Sequence, residues 1–341
     1  MTLHITRAAI RLLVLAPLLL GLSLIAQVNY GIDYSRYSII VNNYASLSAN
    51  THVHRGVLIG DTLNVAGSGT SFNMDLSAAE KTYNSVTNKL PNFYVGGSLT
   101  TSAASADPDM MTGSYQYGSK SAAITLKNPG TQVPGDFFSG KFSAEFGEFQ
   151  QEASRLDKLA NNASWAIIDG NKGLQFTASA NAVSVVDITV AQLQGFFNGS
   201  NEYFTFSGIT AQNKLVINVL GNGGAFTFNP EAGFLGLSNL TLTSNIVWNF
   251  RYVSTLTLNT SGRAFWGTIL APDSQVVWQG NGDVEGQMIA YNLVDTSNHQ
   301  YHDNGYFTTE LPPIPEPSTY ALLGAASCGA LALLRRRRRA A

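Results

Sequence analysis

The chain reads as mainly β with one long helix laid against its sheets, and three observations predict this. Many short runs of β-branched and aromatic residues are separated by Gly, Asn and Ser, the punctuation expected between strands. In the last six runs the spacing is roughly 8–12 residues, which suits a sandwich, a barrel or the coils of a β-solenoid. One segment, 137–162, departs from this pattern and carries helical three-four spacing instead. No strict sequence period accompanies the strands, so repeats do not choose among these architectures.

At the front, Arg7 and Arg11 precede an apolar run from Leu12 to Ile25, a charged region followed by an apolar one of secretory-signal length. Residues 1–26 are therefore expected to be a signal peptide, cut near Ala26, that engages the Sec export machinery. Strands are expected next at Ser38–Val41, Gly56–Ile59, Thr62–Val65, Phe93–Leu99 and Ala122–Leu126. In the helical segment Phe138, Phe142, Phe149, Ala153, Leu156 and Ala160 form one apolar stripe, with Glu145, Glu148, Glu152, Arg155 and Lys158 opposite. Asn161-Asn162 ends it. Such a helix cannot bury its stripe alone and is expected to lie along a sheet face.

Beyond the helix, further strands are expected at Ala166–Ile168, Leu174–Ala178, Val183–Thr189, Tyr203–Phe206, Leu215–Leu220 and Ala225–Phe228. The series ends with Leu240–Thr243, Ile246–Phe250, Thr255–Leu258, Ala264–Leu270, Gln275–Trp278 and Gly286–Leu293.

Composition narrows the function. Arg7 and Arg11 lie in the leader and Arg335–Arg339 in the tail, which leaves 13 Lys and Arg against 21 Asp and Glu over residues 27–314. That region's charge of about −8 argues against nucleic acid and anionic surfaces as partners. The one cysteine, Cys328, lies in the tail, so the domain has neither disulfide nor thiol nucleophile and depends on burial and its hydrogen-bond ladder.

The tail has three parts in order: Pro315-Glu316-Pro317, an apolar run from Tyr320 to Leu334, and Arg335, Arg336, Arg337, Arg338 and Arg339. The prolines keep the backbone extended around Glu316. The apolar run enters a bilayer but is shorter than the roughly 20 residues of a comfortable span. The arginines hold the end on the cytoplasmic side. This combination resembles the PEP-CTERM sorting signal. The resemblance implies recognition and cutting by an exosortase-type membrane enzyme, transient inner-membrane contact through 320–334, and export to the surface or matrix of a Gram-negative bacterium.

A second resemblance covers the domain. Phe206-Ser-Gly-Ile209, Lys214–Gly221, Ile246-Val-Trp-Asn249, Ala264–Pro272, Gly282–Ala290 and His302–Pro312 follow one another in the order of the choice-of-anchor A family. His54–Gly60 and Phe93–Gly97 are similar to its Gly-rich β turns, and an Asn/Ser-rich stretch between Asp61 and Lys89 departs from it. The resemblance implies an adhesive domain over 30–311, a right-handed β-solenoid (β-helix) flanked by the helix near 137–162. A β-sandwich is the alternative. The order also resembles one class of bacterial ice-binding proteins.

Three groups of residues are candidates for a site. Thr241, Thr243, Thr255, Thr257 and Asn259 alternate with leucines, which predicts strands with one apolar face and one of hydroxyls and amides, a binding face for polysaccharide or ice. Ala271-Pro272 is expected to stop a strand, and Gly282 and Gly286 to form corners between rungs. His52, His54, His299 and His302 are the titratable cluster, and Asp283 with Glu285 and Asp107 with Asp109 are the carboxylate pairs. Solvated histidines and acids at turns account for these, so no metal, no cofactor and no catalytic residue is assigned. The expectation is an exported matrix adhesin rather than an enzyme, with an ice-binding protein as the alternative and a polysaccharide-acting enzyme behind it. Its partners are the exosortase, the export machinery, and extracellular polysaccharide or surface proteins.

Overall fold

The strands alternate an inward apolar residue with an outward one and stack side by side in parallel, so that each turn of the chain buries its apolar row against the next. The structure, a computed structural model, describes residues 32–77, 90–133, 142–197, 203–229, 233–237, 240–260 and 262–302. In chain order these hold β1 (Tyr37–Val41), β2 (Tyr44–Leu47), β3 (His52–Val53), β4 (Gly56–Ile59), β5 (Thr62–Val65), β6 (Ser71–Phe72), β7 (Phe93–Thr100) and β8 (Tyr115–Lys120). The helix α1 (Phe142–Asp157) follows, then β9 (Ser164–Ile168), β10 (Gly173–Thr177), β11 (Val183–Thr189), the short α2 (Val190–Phe196), β12 (Tyr203–Ser207), β13 (Lys214–Leu220), β14 (Ala225–Phe228) and β15 (Gly233–Leu235). The last are β16 (Ile246–Arg251), β17 (Thr255–Leu258), β18 (Phe265–Trp266), β19 (Thr268–Trp278), β20 (Val284–Glu285), β21 (Met288–Asp295) and β22 (Gln300–His302).

Every described pairing is parallel except that of β9 with β10, so the architecture is a parallel solenoid and not an antiparallel sandwich. It has three faces. The first is ordered β11-β13-β16-β19-β21-β1-β4-β7-β8. The second is β14-β17-β19-β21-β2-β5-β7-β8, with β7, β8, β19 and β21 bending through both. The third holds β18-β20-β22-β3-β6, with β9, β10, β12 and β15 beyond β18.

The winding does not run from end to end. β1 pairs on one side with β4 and on the other with β21, so the first and last coils meet in the middle of the body. The N-terminal coils progress outward from this seam, α1 returns along the first face, and the C-terminal coils wind back to the seam.

On the first face the outward residues Ile40, Leu58, Tyr94, Leu270 and Ile289 are apolar, and α1 covers them with Phe142, Phe146, Phe149, Ala153 and Leu156. At about 1.5–3 kcal/mol per large side chain, the three phenylalanines and Leu156 contribute on the order of 6–12 kcal/mol before entropy is subtracted. The helix stripe agrees with its sequence pattern, with two corrections on the face expected to be polar. Glu145 is buried and accepts a hydrogen bond from the Tyr34 hydroxyl at 2.9 Å, and Glu152 is buried and held by Arg155 through two bonds of 2.6 Å. Burial, reinforced by Glu145, holds the Tyr34 phenol well above its ordinary range. Ala160 lies past the helix and is exposed, while Phe138 falls outside the described residues.

A row of polar side chains docks the end of the helix. Asn249 Nδ2 donates to the Ala153 carbonyl and to Asn218 Oδ1, both at 2.9 Å. Asn218 Nδ2 in turn donates to the Leu156 carbonyl at 3.1 Å and to Asp187 Oδ1 at 2.9 Å. Last-turn carbonyls such as that of Leu156 have no partner within a helix, and this ladder supplies one. Asn162 then closes the sheet edge: its Oδ1 accepts from the Val185 amide at 2.7 Å and its Nδ2 donates to the Val183 carbonyl at 3.0 Å.

Three expected strands change form. Leu240–Asn245 is a 3-10 helix with Thr243 buried, because this stretch turns the corner from β15 into β16 and its place in the coil overrides its alternating pattern. Ala122–Leu126 keeps one isolated bridge, Ile124 with Ala106. The run through Ala264–Leu270 is divided at Gly267, whose φ of +110° only glycine takes readily, and where a Cβ would stand 2.9 Å from the Ile246 carbonyl oxygen. Gly286 stacks on that corner as expected. Pro272 does not stop its strand: β19 continues through it with a shift of register between Ala271 and Gln275, where the missing N–H is tolerated.

Candidate functional site

The second face carries the site that the threonines predict. Along β17 the inward leucines Leu256 and Leu258 are fully buried, and Thr255 and Thr257 point outward half-buried. In-register pairing repeats the arrangement on seven neighbours. Thr255 lies between Ala225 and Gln275, and that row goes on through Asn292, Tyr44, Thr62, Ser98 and Ser119. Thr257 lies between Thr227 and Val277, with Val294, Ser46, Asn64 and Thr100 following.

Side chains in these rows also bond from rung to rung. Asn64 Nδ2 donates to Ser46 Oγ at 3.0 Å, Asn43 Nδ2 donates to Asn292 Oδ1 at 3.0 Å, and the Ser98 and Ser119 hydroxyls share a bond of 2.9 Å. Apart from the Tyr44 phenol the two rows contain no ionisable side chain. Parallel strands lie roughly 4.8 Å apart, so the face offers outward side chains at a fixed interval, hydroxyls and amides interrupted by Ala225, Val277 and Val294.

Asn259 follows β17, half-buried, with its amide bonded to the Phe228 carbonyl. Thr241 and Thr243 do not join the face, because they belong to the 3-10 corner. Sequence reasoning missed the remaining members of the rows. The signal was present, since Thr62-Leu63-Asn64-Val65 and Ala225-Phe226-Thr227-Phe228 repeat the alternation of Thr255–Leu258, but only pairing shows that they share one face.

The histidines gather on the third face. His54 and His302 lie across the seam with ring centroids 4.6 Å apart. His54 Nδ1 is 2.6 Å from Asp75 Oδ2 and His302 Nδ1 is 2.7 Å from Glu285 Oε1. Both Nε2 atoms approach the Gln300 side-chain amide, at 2.9 and 3.2 Å. The hydrogen bond that His302 donates to Glu285, outweighing partial burial, raises the His302 pKa above its ordinary value. Glu285 is buried, contrary to the reading of it as a solvated acid, and the Asp283 carboxylate accepts from the Gln300 amide at 2.8 Å.

His52 bonds to Ser71 Oγ at 2.6 Å. His299 stands apart in the core, stacked on Trp278 at 5.0 Å, and burial lowers its pKa to about 4. Among the described residues no three His, Cys, Asp or Glu side chains are placed to hold a metal ion. Asp107 pairs with Lys127, and Asp109 accepts from Asn128. Trp248 and Trp278 are fully buried, with their indole N–H groups bonded to the Trp266 and Gly280 carbonyls, and Trp266 is half-buried.

The leader, residues 1–26, and the sorting residues Pro315, Glu316, Pro317 and Arg335–Arg339 lie outside the described residues. No helix among the described residues is long and apolar enough to cross a membrane.

No curated protein matches the chain. Among solved structures it is similar to an ice-binding protein from the Antarctic ascomycete Antarctomyces psychrotrophicus, at 10% identity over 79% of this chain and 97% of that one, with a TM-score of 0.34. An ice-binding protein from an Antarctic biological consortium is 12% identical over 79% and 91% of the two chains, with a TM-score of 0.30. Residues 313–339 match the PEP-CTERM protein-sorting motif, a signal that an exosortase recognises and that implies export to the cell envelope. Residues 32–303 match the model described as "Putative Ice-binding-like adhesive domain", and the chain belongs to that family.

Proposed function

We propose that the protein is a surface or matrix adhesin whose second face lies against extracellular polysaccharide. The observation carrying this reading is the pair of in-register, uncharged rows through Thr255 and Thr257. Sugar hydroxyls are both donors and acceptors, as are the Thr, Ser, Asn and Gln side chains presented there. A chain carrying about −8 over its exported part also suits a neutral ligand better than a polyanion.

In this reading a signal peptide at 1–26 leads to export by the Sec machinery. The segment 320–334 then makes transient inner-membrane contact, an exosortase cuts near Pro317, and the domain remains in the matrix of a Gram-negative bacterium. The choice-of-anchor A resemblance fits such a role, and the coils wind right-handed, the sense that parallel crossovers favour. The protein binds and does not catalyse: Asp283, Glu285, Asp107 and Asp109 are each engaged by neighbouring groups.

The test is binding of the exported chain to polysaccharide extracted from the producing organism, with unrelated glycans as controls. Saturable binding that Thr255→Lys with Thr257→Lys abolishes is the expected result; absence of binding refutes the reading. The regular uncharged rows and the family description also favour an ice-binding surface. That second reading predicts thermal hysteresis that the same pair of substitutions removes. An enzyme acting on the polymer would instead release new reducing ends.

A further inference from the structure

One ridge of the solenoid is built in two ways. Where the first face bends into the second, the N-terminal coils turn on small residues: Asn42 and Asn43, then Gly60, Gly96 with Gly97, and Gly118. Their backbones are tightly stacked, and a Cβ at Gly60 would stand 2.0 Å from the Asn42 carbonyl oxygen. Of the C-terminal coils, two place Tyr252 and Tyr291 on the same ridge, 52% and 39% exposed, while β13 turns there on Gly221 and β19 through Pro272, Asp273 and Ser274.

Tyr252 has φ of +60° and is the only aromatic side chain among the described residues on a left-handed backbone. A bulky residue there is strained, and such outliers gather at ligand sites. Its ring is nevertheless held in place. The hydroxyl donates to Asp157 at 3.3 Å, and the Arg251 guanidinium, fixed by Asp273, lies over one face of the ring 4.7 Å from its centre, so the opposite face is the one offered to a ligand. A strained, pinned and exposed ring suits a platform better than a packing element.

β16, β19 and β21 are successive neighbours, so Tyr252, just past β16, and Tyr291, within β21, are two strand spacings apart, about 9–10 Å along the axis. That interval is close to the disaccharide repeat of an extended β-linked glycan. The amides of Asn43 and Asn292 adjoin Tyr291, and the threonine rows begin at the next residues. We propose that Tyr252 and Tyr291 form an aromatic ridge that stacks on alternate sugar rings of an extended β-linked polysaccharide running parallel to the solenoid axis. This rests on the polysaccharide reading above and adds its linkage class and direction. Rings protruding beside the flat face fit a sugar chain, whose C–H faces stack on aromatics, and disrupt a lattice match to ice.

The test is isothermal titration of the full chain with cellohexaose, with α-linked maltohexaose as control. Cellohexaose should bind, and Tyr252→Gly and Tyr291→Ala should each weaken it about tenfold, the loss expected of one stacked ring. Tyr291→Phe should retain it. Tyr252→Gly also relieves the left-handed strain, so its melting temperature should not fall and a folding defect cannot account for lost binding. Unchanged affinity in both tyrosine variants, or equal binding of the two hexaoses, overturns the ridge. If the host polysaccharide still binds in a Thr255- and Thr257-dependent way while the tyrosine variants behave as wild type, the ridge alone fails. If the wild-type chain binds no glycan, the adhesin reading fails and the ridge falls with it.

Discussion

The first and second faces share four strands, a parallel pairing and an inward apolar row, and they part in what points outward. Where Ile40, Leu58, Leu270 and Ile289 face out, a helix is laid over them; where Thr255, Thr257, Gln275 and Asn292 face out, the side chains stay half-buried or exposed. The inward row thus sets the fold, and the outward row decides whether a face becomes interior or surface. In β19 and β21 a single strand serves both purposes, apolar outward at Leu270 and Ile289 and polar outward at Gln275 and Asn292.

The comparison breaks most readily at the covered face. Phe149→Asp puts a charge among residues with no solvent contact and deletes a ring that packs on Tyr34 at 4.8 Å. Truncating a core phenylalanine costs about 3–5 kcal/mol and the unpaired charge adds to that, so cooperative thermal unfolding should vanish. A melting curve that matches wild type would show that α1 does not seal this face. Next comes the polar ladder beneath the helix end. Asn218→Ala strips the Leu156 carbonyl and Asp187 of a partner and should cost about 1–3 kcal/mol, read from the urea midpoint.

The buried pair next to the third face adds a dependence on pH across the neutral range. Burial pushes Asp295 up to about 7, while His299 beside it is lowered to about 4, so between those values both are neutral and their 3.4 Å approach is not an ion pair. A raised folded pKa favours the native state below the unfolded value and loses that advantage as pH rises through the folded one. Asp295 is raised, so its contribution is lost as pH climbs from about 4 to about 7, and that of His302, also raised, is lost as pH climbs above the ordinary histidine value. His299 is lowered, so its contribution is present above about pH 6.5 and is lost as pH falls toward 4. Urea midpoints at acidic, neutral and alkaline pH check this, and Asp295→Asn should remove the loss that accrues between about pH 4 and about 7. The smallest effect on stability belongs to the bare face: Thr255→Lys with Thr257→Lys should shift unfolding by less than about 0.5 kcal/mol per site, although glycan binding is lost.

Legibility in the sequence followed the same division. The apolar stripe of α1 was readable because helical spacing is local, and Val183–Thr189, Ala225–Phe228 and Thr255–Leu258 were readable because alternation is local too. Leu240–Thr243 carries the same alternation and becomes a corner, since a corner is imposed by where the preceding strand ends. The bond from Tyr34 to the buried Glu145, the pairing of His54 with His302, and the asparagine ladder all join residues far apart in the chain. Their side chains show no partner until the coils are stacked. The meeting of first and last coils was invisible for that reason.

That seam governs how the domain would bear load. The sorting motif at 313–339 follows soon after β22, whose three residues are hydrogen-bonded to β20 on one side and β3 on the other. Tension arriving through the C-terminus therefore enters at the waist of the solenoid and not at a frayed end. Peeling β22 away brings the force onto β21, which is clasped by β1 and β2 as well as by β19. A pull applied at the C-terminus therefore does not start by unravelling either half from its tip, and it is divided between two bodies at the seam.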